Sequence, residues 1–136
     1  VKTARWLQAA MACAALLAGG NAAACGHCVE DRIAAVYDHA LVQRARASKH
    51  QVAYFAWDGA FTRDETSRRG VLAVAEAVPG IDKGSVRVSM EPAAIAVAFD
   101  PRRSDAAAIA TALRAALRRL SVDVVPLHAP ASSSPG

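Results

Sequence analysis

No stretch of this 136-residue chain holds the ~18 consecutive apolar residues that a membrane-spanning helix needs; its Ala- and Leu-rich run, Leu7 to Ala18, is short and broken by Gln8. An integral membrane protein is therefore not expected. Dense runs of Lys and Arg interleaved with aromatics are also missing, which removes the usual footprint of a nucleic-acid partner. No Ser-His-Asp arrangement, phosphate loop or pair of catalytic carboxylates can be assembled from the sequence, so an enzyme is not expected either. Cysteine is scarce: Cys13, Cys25 and Cys28 are the three.

What is present begins with an ordered set of signals at the N-terminus. Lys2 and Arg5 are basic, Leu7–Ala18 is apolar, Gly19-Gly20-Asn21 loosens the chain, and Ala22-Ala23-Ala24 offers small residues to a peptidase. That order is the pattern of a secretory signal peptide, and it predicts export to the periplasm or the exterior with residues 1–24 removed. Cleavage after Ala24 makes Cys25 the first residue. Lipoprotein anchoring at Cys25 is the weaker reading, because Ala22 occupies the position where such signals usually carry Leu. The remaining chain has 14 basic and 12 acidic side chains, a net charge near +2. Its length suits one domain. The tail "HAPASSSPG" has no apolar period and reads as disordered.

Within the domain, "VEDRIAAVYDHALVQRARAS" places Ile33, Val36, Tyr37, Ala40 and Leu41 at helical spacing, with Glu30 and Asp31 at its start and Arg44, Arg46 and Lys49 toward its end. Both placements favour a helix dipole, and one leading amphipathic helix over residues 29–47 is predicted. Val52 to Trp57 read as a strand ended by Asp58-Gly59. Val71, Val74, Ala75 and Val78 predict a helix, with Thr62 and Glu65 as a capping box and Pro79-Gly80 as its stop. Gly70 lies inside that helix, which suggests a close packing contact. "GSVRVSM" and "AAIAVAF" alternate and are joined by a short link, as in a hairpin. Ile109, Leu113, Ala116, Leu117 and Leu120 form a second helical stripe, with Ser104 as its expected N-cap and Arg118-Arg119 at its end. "SVDVVPL" is a last strand. From residue 50 onward the order is strand, helix, strand, strand, helix, strand. This predicts an α+β, ferredoxin-like βαββαβ fold: a four-stranded antiparallel sheet with two helices on one face, plus the extra N-terminal helix. That extra helix must bury its apolar side on the open sheet face or on a protein partner.

The stretch from "GVLAVAEAVPGIDKGSVRV" through "FDPRRSDAAAIATALRAAL" resembles a heavy-metal-associated domain, the fold of copper chaperones and P-type ATPase tails. The resemblance rests on "VPGI" after the first helix, the alternating hairpin and "FDP" before the second helix, and it covers roughly residues 50–127. It implies a ferredoxin-like fold and soft-metal handling. The family holds its metal with a Cys-x-x-Cys in the first strand–helix loop, which here corresponds to Asp64-Glu65-Thr66-Ser67. No thiol stands there, so the family's ligands do not carry over to that loop.

A displaced "CGHC" does occur, at Cys25–Cys28, followed by its own helix. Cysteines at this spacing on a helix N-terminus can reach one ion. The helix dipole is expected to lower their pKa values, and soft thiolates select copper, as Cu(I), or zinc. His27 stands between them as a third candidate ligand. Two other uses of the pair remain open: a structural Cys25–Cys28 disulfide in an oxidising compartment, and thiol–disulfide exchange, since "CGHC" also occurs in disulfide isomerases. The other histidines, His39, His50 and His128, read as polar surface. Asp58, Asp64 and Glu65 read as solvated, and Phe55, Trp57 and Met90 read as core. The expected organisation is a signal peptide at 1–24, the Cys-x-x-Cys segment and leading helix at 25–49, the heavy-metal-associated-like domain at 50–127 and a tail at 128–136. The expected function is an exported, non-enzymatic metal-handling protein. The competing class is a structural or interaction module with a degenerate metal loop, its leading helix docked on a partner.

Overall fold

The computed structural model describes residues 28–128. The signal segment 1–24, Cys25, His27 and the tail beyond His128 lie outside the described residues. The elements are α1 (Val29–Val36), α2 (His39–Ala47), β1 (Gln51–Gly59), α3 (Glu65–Glu76), β2 (Arg87–Met90), β3 (Ala93–Phe99), α4 (Ala106–Leu117) with a 3-10 turn at Arg118–Leu120, and β4 (Val122–Leu127). The strands form one four-stranded sheet in the order β2-β3-β1-β4, and every neighbouring pair is antiparallel. From residue 50 onward this is the predicted βαββαβ unit.

Sequence alternation explains the two faces. In β1 and β3, Phe55, Trp57, Ile95, Val97 and Phe99 point to one side, where they pack with Val71 and Ala75 of α3 and with Ile109, Leu113 and Leu117 of α4. Leu113 and Leu117 are completely buried, each stabilising the fold by about 1.5–3 kcal/mol on transfer grounds. The helices start where an aspartate can accept a backbone N–H. Asp64 accepts from Ser67 N at 2.8 Å, and Asp105 accepts from Ala108 N at 2.7 Å. These caps replace the expected Thr62 and Ser104. In each case the carboxylate one or two residues further on reaches the N3 amide, and an ionised acceptor also suits the helix dipole. Gly70 does not serve close packing: a Cβ there meets nothing within 4 Å.

The opposite sheet face is covered by α1 and α2. The expected single helix over 29–47 is therefore two. Tyr37 is extended, and Asp38 restarts the chain by accepting from Leu41 N at 3.1 Å. Asp38 also holds Arg87 Nε at 3.0 Å, tying the break to β2. The break lets two short helices follow the sheet. Val36 rests on Ala94 and Ala96, while Leu41 and Ala45 rest on Ala98. Alanine at these alternate positions of β3 leaves room for a helix to approach. The leading segment thus buries Val36, Leu41 and Ala45 on the sheet itself, while Tyr37 and Ala40 of the predicted stripe stay exposed. Among the described residues, no helix is long and apolar enough to cross a membrane.

Two substitutions test this packing by urea unfolding of the full chain. Ala96→Leu, which forces a branched side chain under α1, is expected to lower stability by about 1–3 kcal/mol. Gly70→Ala, in open space on α3, is expected to raise it by up to ~1 kcal/mol.

Candidate metal centre

The location of Cys28 follows from how α1 is anchored. Arg32 sits one turn after it, with its N–H on the Cys28 carbonyl at 3.2 Å. The Arg32 guanidinium donates to the Ala93 carbonyl at 2.7 Å. Ala93 opposes Met90 at the tip of the β2–β3 hairpin, and β1 runs out at this same end of the sheet, with Ala56 opposite Ala94. Cys28 therefore stands at the sheet end from which the β1–α3 loop departs, but on the face covered by α1 and α2. It is an exposed, free thiol at the N-cap position.

The electrostatics at Cys28 differ from the expectation. The Asp31 backbone N–H acts to lower the thiol's pKa, without closing a cap hydrogen bond. The carboxylates of Asp31 and Glu30 act the other way, and the net shift is upward from the ordinary thiol value. The same acids that favour the helix N-terminus repel a thiolate placed beside them. Cys25 and His27 fall outside the described residues, so their distances to Cys28 form no part of this geometry. Among the described residues, no three His, Cys, Asp or Glu side chains are grouped to hold an ion.

The β1–α3 loop, where the resembled family keeps its thiols, has other contents. Phe61 folds back on Trp57 with ring centroids 5.2 Å apart and planes within 7°. Gly59 permits this: a Cβ there stands 2.6 Å from Phe61 Cε1 and 3.1 Å from the Ser121 carbonyl. Arg63 lies over the Trp57 ring, 6.0 Å from its centroid, and donates to the Met90 carbonyl at 2.6 Å. The Trp57 indole N–H donates to the Ser89 carbonyl at 3.1 Å. Asp64 is spent on the helix cap. Glu65 binds Arg68 at 2.6 Å and Arg69 at 3.2 Å, and the Arg68 guanidinium chiefly holds its carboxyl at about 2. This end of the domain is closed by an aromatic stack and ion pairs.

Of the remaining residues singled out in the sequence, Phe55 and Trp57 are buried, and Met90 packs half-buried against the core. His39 is exposed. His50 is held between two acids: its Nδ1 lies 2.6 Å from Asp82 Oδ2 and its Nε2 lies 3.9 Å from Asp100 Oδ2. The pairing joins residues 32 positions apart, and no local motif announces it. Arg32 and Arg63, the two clasps on the hairpin, were equally invisible, since their partners are backbone carbonyls.

Neither a protein-family model nor a curated protein matches the chain. Solved structures do align with it. Oxidized MerP from Ralstonia metallidurans CH34 is 18% identical, with 58% of this chain and 99% of that one covered at a TM-score of 0.46. A copper binding domain from HMA7, a P-type ATPase, is 18% identical, covering 57% and 93% at 0.45. The N-terminal domain of PacS from Synechocystis PCC6803 is also 18% identical, covering 57% and 98% at 0.39. The ferredoxin-like assignment itself stands on the strand order and register described above.

The raised Cys28 pKa has a direct consequence. Asp31→Asn removes the largest upward influence on the thiol, so a larger thiolate fraction is expected at neutral pH. Alkylation by iodoacetamide at pH 7.5 should accelerate by a few fold in this variant. An unchanged or slower rate refutes the assignment of the carboxylate as the cause.

Proposed function

We propose that this protein is an exported, non-enzymatic carrier of a soft metal, copper as Cu(I) or zinc, taken up through Cys25 and Cys28 with His27 as the weaker third donor. The observation that carries the reading is the exposed Cys28 thiol, held by α1 at the sheet end where the β1–α3 loop emerges. The chemistry needs a donor that solvent-borne ions and a receiving protein can reach, and Cys28 is such a donor. Thiolates suit Cu(I) best, while a Cys, Cys and His set also suits zinc. Because the ligand must lose its proton, uptake is coupled to proton release. With the Cys28 pKa raised, a larger share of thiol is protonated near neutrality, and apparent affinity should climb as pH rises toward the thiol's own titration range.

A second reading is a structural or interaction module in which Cys25 and Cys28 form a disulfide. It is supported by the β1–α3 loop, whose space is filled by the Trp57–Phe61 stack rather than by thiols.

Competition titration of reduced protein with a Cu(I) chelator separates the two. Cys28→Ser is expected to weaken binding by more than about tenfold, equivalent to ~1.4 kcal/mol, with an unchanged far-UV circular dichroism spectrum because the side chain is exposed. His27→Ala should weaken binding less. Equal affinities for wild type and Cys28→Ser sink the metal reading and leave the disulfide.

A further inference from the structure

The cover that α1 and α2 lay on the sheet is incomplete at β4. The strand residues that receive the two helices are Ala94, Ala96 and Ala98 of β3 with Val52 and Tyr54 of β1. On the same face, Asp123, Val125 and Leu127 of β4 stand opposite Asp58, Ala56 and Tyr54 of β1. Val125 is 55% exposed and Tyr37 is 51% exposed, and with Val29 they are the large hydrophobic side chains left exposed among the described residues. Tyr54 stands between these two. Tyr37 shares a hollow with it, and Val125 is its diagonal cross-strand neighbour.

The two ends of this half-face carry opposite signs. At the end where β1 stops, Asp58 and Asp123 lie directly opposite each other, a like-charge pair that costs stability. Arg114 reaches Asp123 at 3.5 Å, while Asp58 accepts the Gly59 N–H at 2.8 Å and has no ion pair with a described residue. At the other end, the hollow is lined by Arg46, Gln51 and the two tyrosines, and by no acid. His50, also in its lining, is paired with Asp82 at 2.6 Å. An apolar centre with donors at one end and carboxylates at the other is complementary to itself after a half-turn about an axis that lies in the face and crosses the strands. That rotation sets each Arg46 hollow against the Asp58–Asp123 pair of a second copy, and it lays Tyr54, Val125 and Leu127 of both copies together. A two-fold symmetric dimer requires this self-complementarity. We propose that the uncovered β1–β4 half-face is the interface of a homodimer, two copies packed face to face with their β4 strands running in opposite directions. The two Cys28 thiols then lie at opposite ends of the dimer. This holds whether or not Cys28 binds a metal.

The half-face is small for an interface, so a Kd of about 10–100 µM is expected. The test is sedimentation equilibrium of the full chain up to ~0.5 mM, above that range, with reductant and chelator present so that neither a disulfide nor a metal joins the copies. A monomer–dimer equilibrium is expected. Val125→Asp should weaken it by more than about tenfold with an unchanged circular dichroism spectrum. Arg46→Glu alone and Asp58→Arg alone should each weaken it by roughly fivefold or more, since each sets like charges against each other across the two-fold axis. An equal mixture of these two variants should recover the wild-type affinity, because every contact between the unlike chains again joins opposite signs. Loss of a merely structural side chain gives no such recovery. A chain that stays monomeric, a dimer unaffected by Val125→Asp, or a mixture that associates no better than its two parents each overturns the proposal. A dimer seen only without reductant and chelator also overturns it and assigns the association to the thiols.

Discussion

The two-sidedness of β3 is the constraint on which the rest of the molecule depends. Every residue from Ala93 to Phe99 is buried, so this strand has no solvent face. Ile95, Val97 and Phe99 fill the core beneath α3 and α4, while Ala94, Ala96 and Ala98 receive α1 and α2. Large side chains on one side supply area to bury, and methyl-sized ones on the other supply proximity. If both sides were large, two short helices with few apolar residues could not settle on the sheet. If both were small, the core would lack volume. The position of Cys28 follows from this: α1 is held where the alanines admit it, and Arg32 sets its height along the strand.

Both edges of the sheet are guarded, which matters for a sheet of only four strands. On β4, Arg114 donates to the Val124 carbonyl at 3.0 Å, and Pro126 contributes no N–H. On β2, the Met90 carbonyl is taken by Arg63 and the Val86 carbonyl by Arg87, while Glu76 accepts the Val86 N–H. Side chains thus satisfy backbone groups that would otherwise template pairing with another chain. The arginines doing this are the ones that composition alone would count as free surface charge.

The βαββαβ unit was legible because each of its elements carries its own periodicity and its own stop, such as Pro79-Gly80 after α3. What was misread came from competition between local signals. Asp38 lies within a helical apolar pattern and looks like one polar residue among others. Its carboxylate nevertheless caps Leu41 and binds Arg87, and the combined gain outweighs continuing the helix. Asp64 and Asp105 won the caps from Thr62 and Ser104 by the same kind of local bond. The His50–Asp82 pair and the arginine clasps are long-range and have no sequence period, so pattern reading could not find them. For the candidate site, the residue types were legible but their tuning was not. Glu30 and Asp31 favour the helix N-terminus, but their effect on the adjacent thiol has the opposite sign.

That opposition bears on what a thiol at this place can do. On α1 the thiol is attached to a layer held on the sheet by Val36, Leu41, Ala45 and a few polar clasps, while the core closes independently through the Trp57–Phe61 stack and the Glu65 ion pairs. Chemistry at the exposed Cys28 thiol is thereby separated from the packing of the core, a separation that would suit the proposed carrier. The neighbouring carboxylates bear on the proposed role. By favouring the protonated thiol they would make any soft ion taken up there compete with a proton. A structural zinc site would call for the reverse on both counts: ligands built into the core, and thiols tuned toward the thiolate.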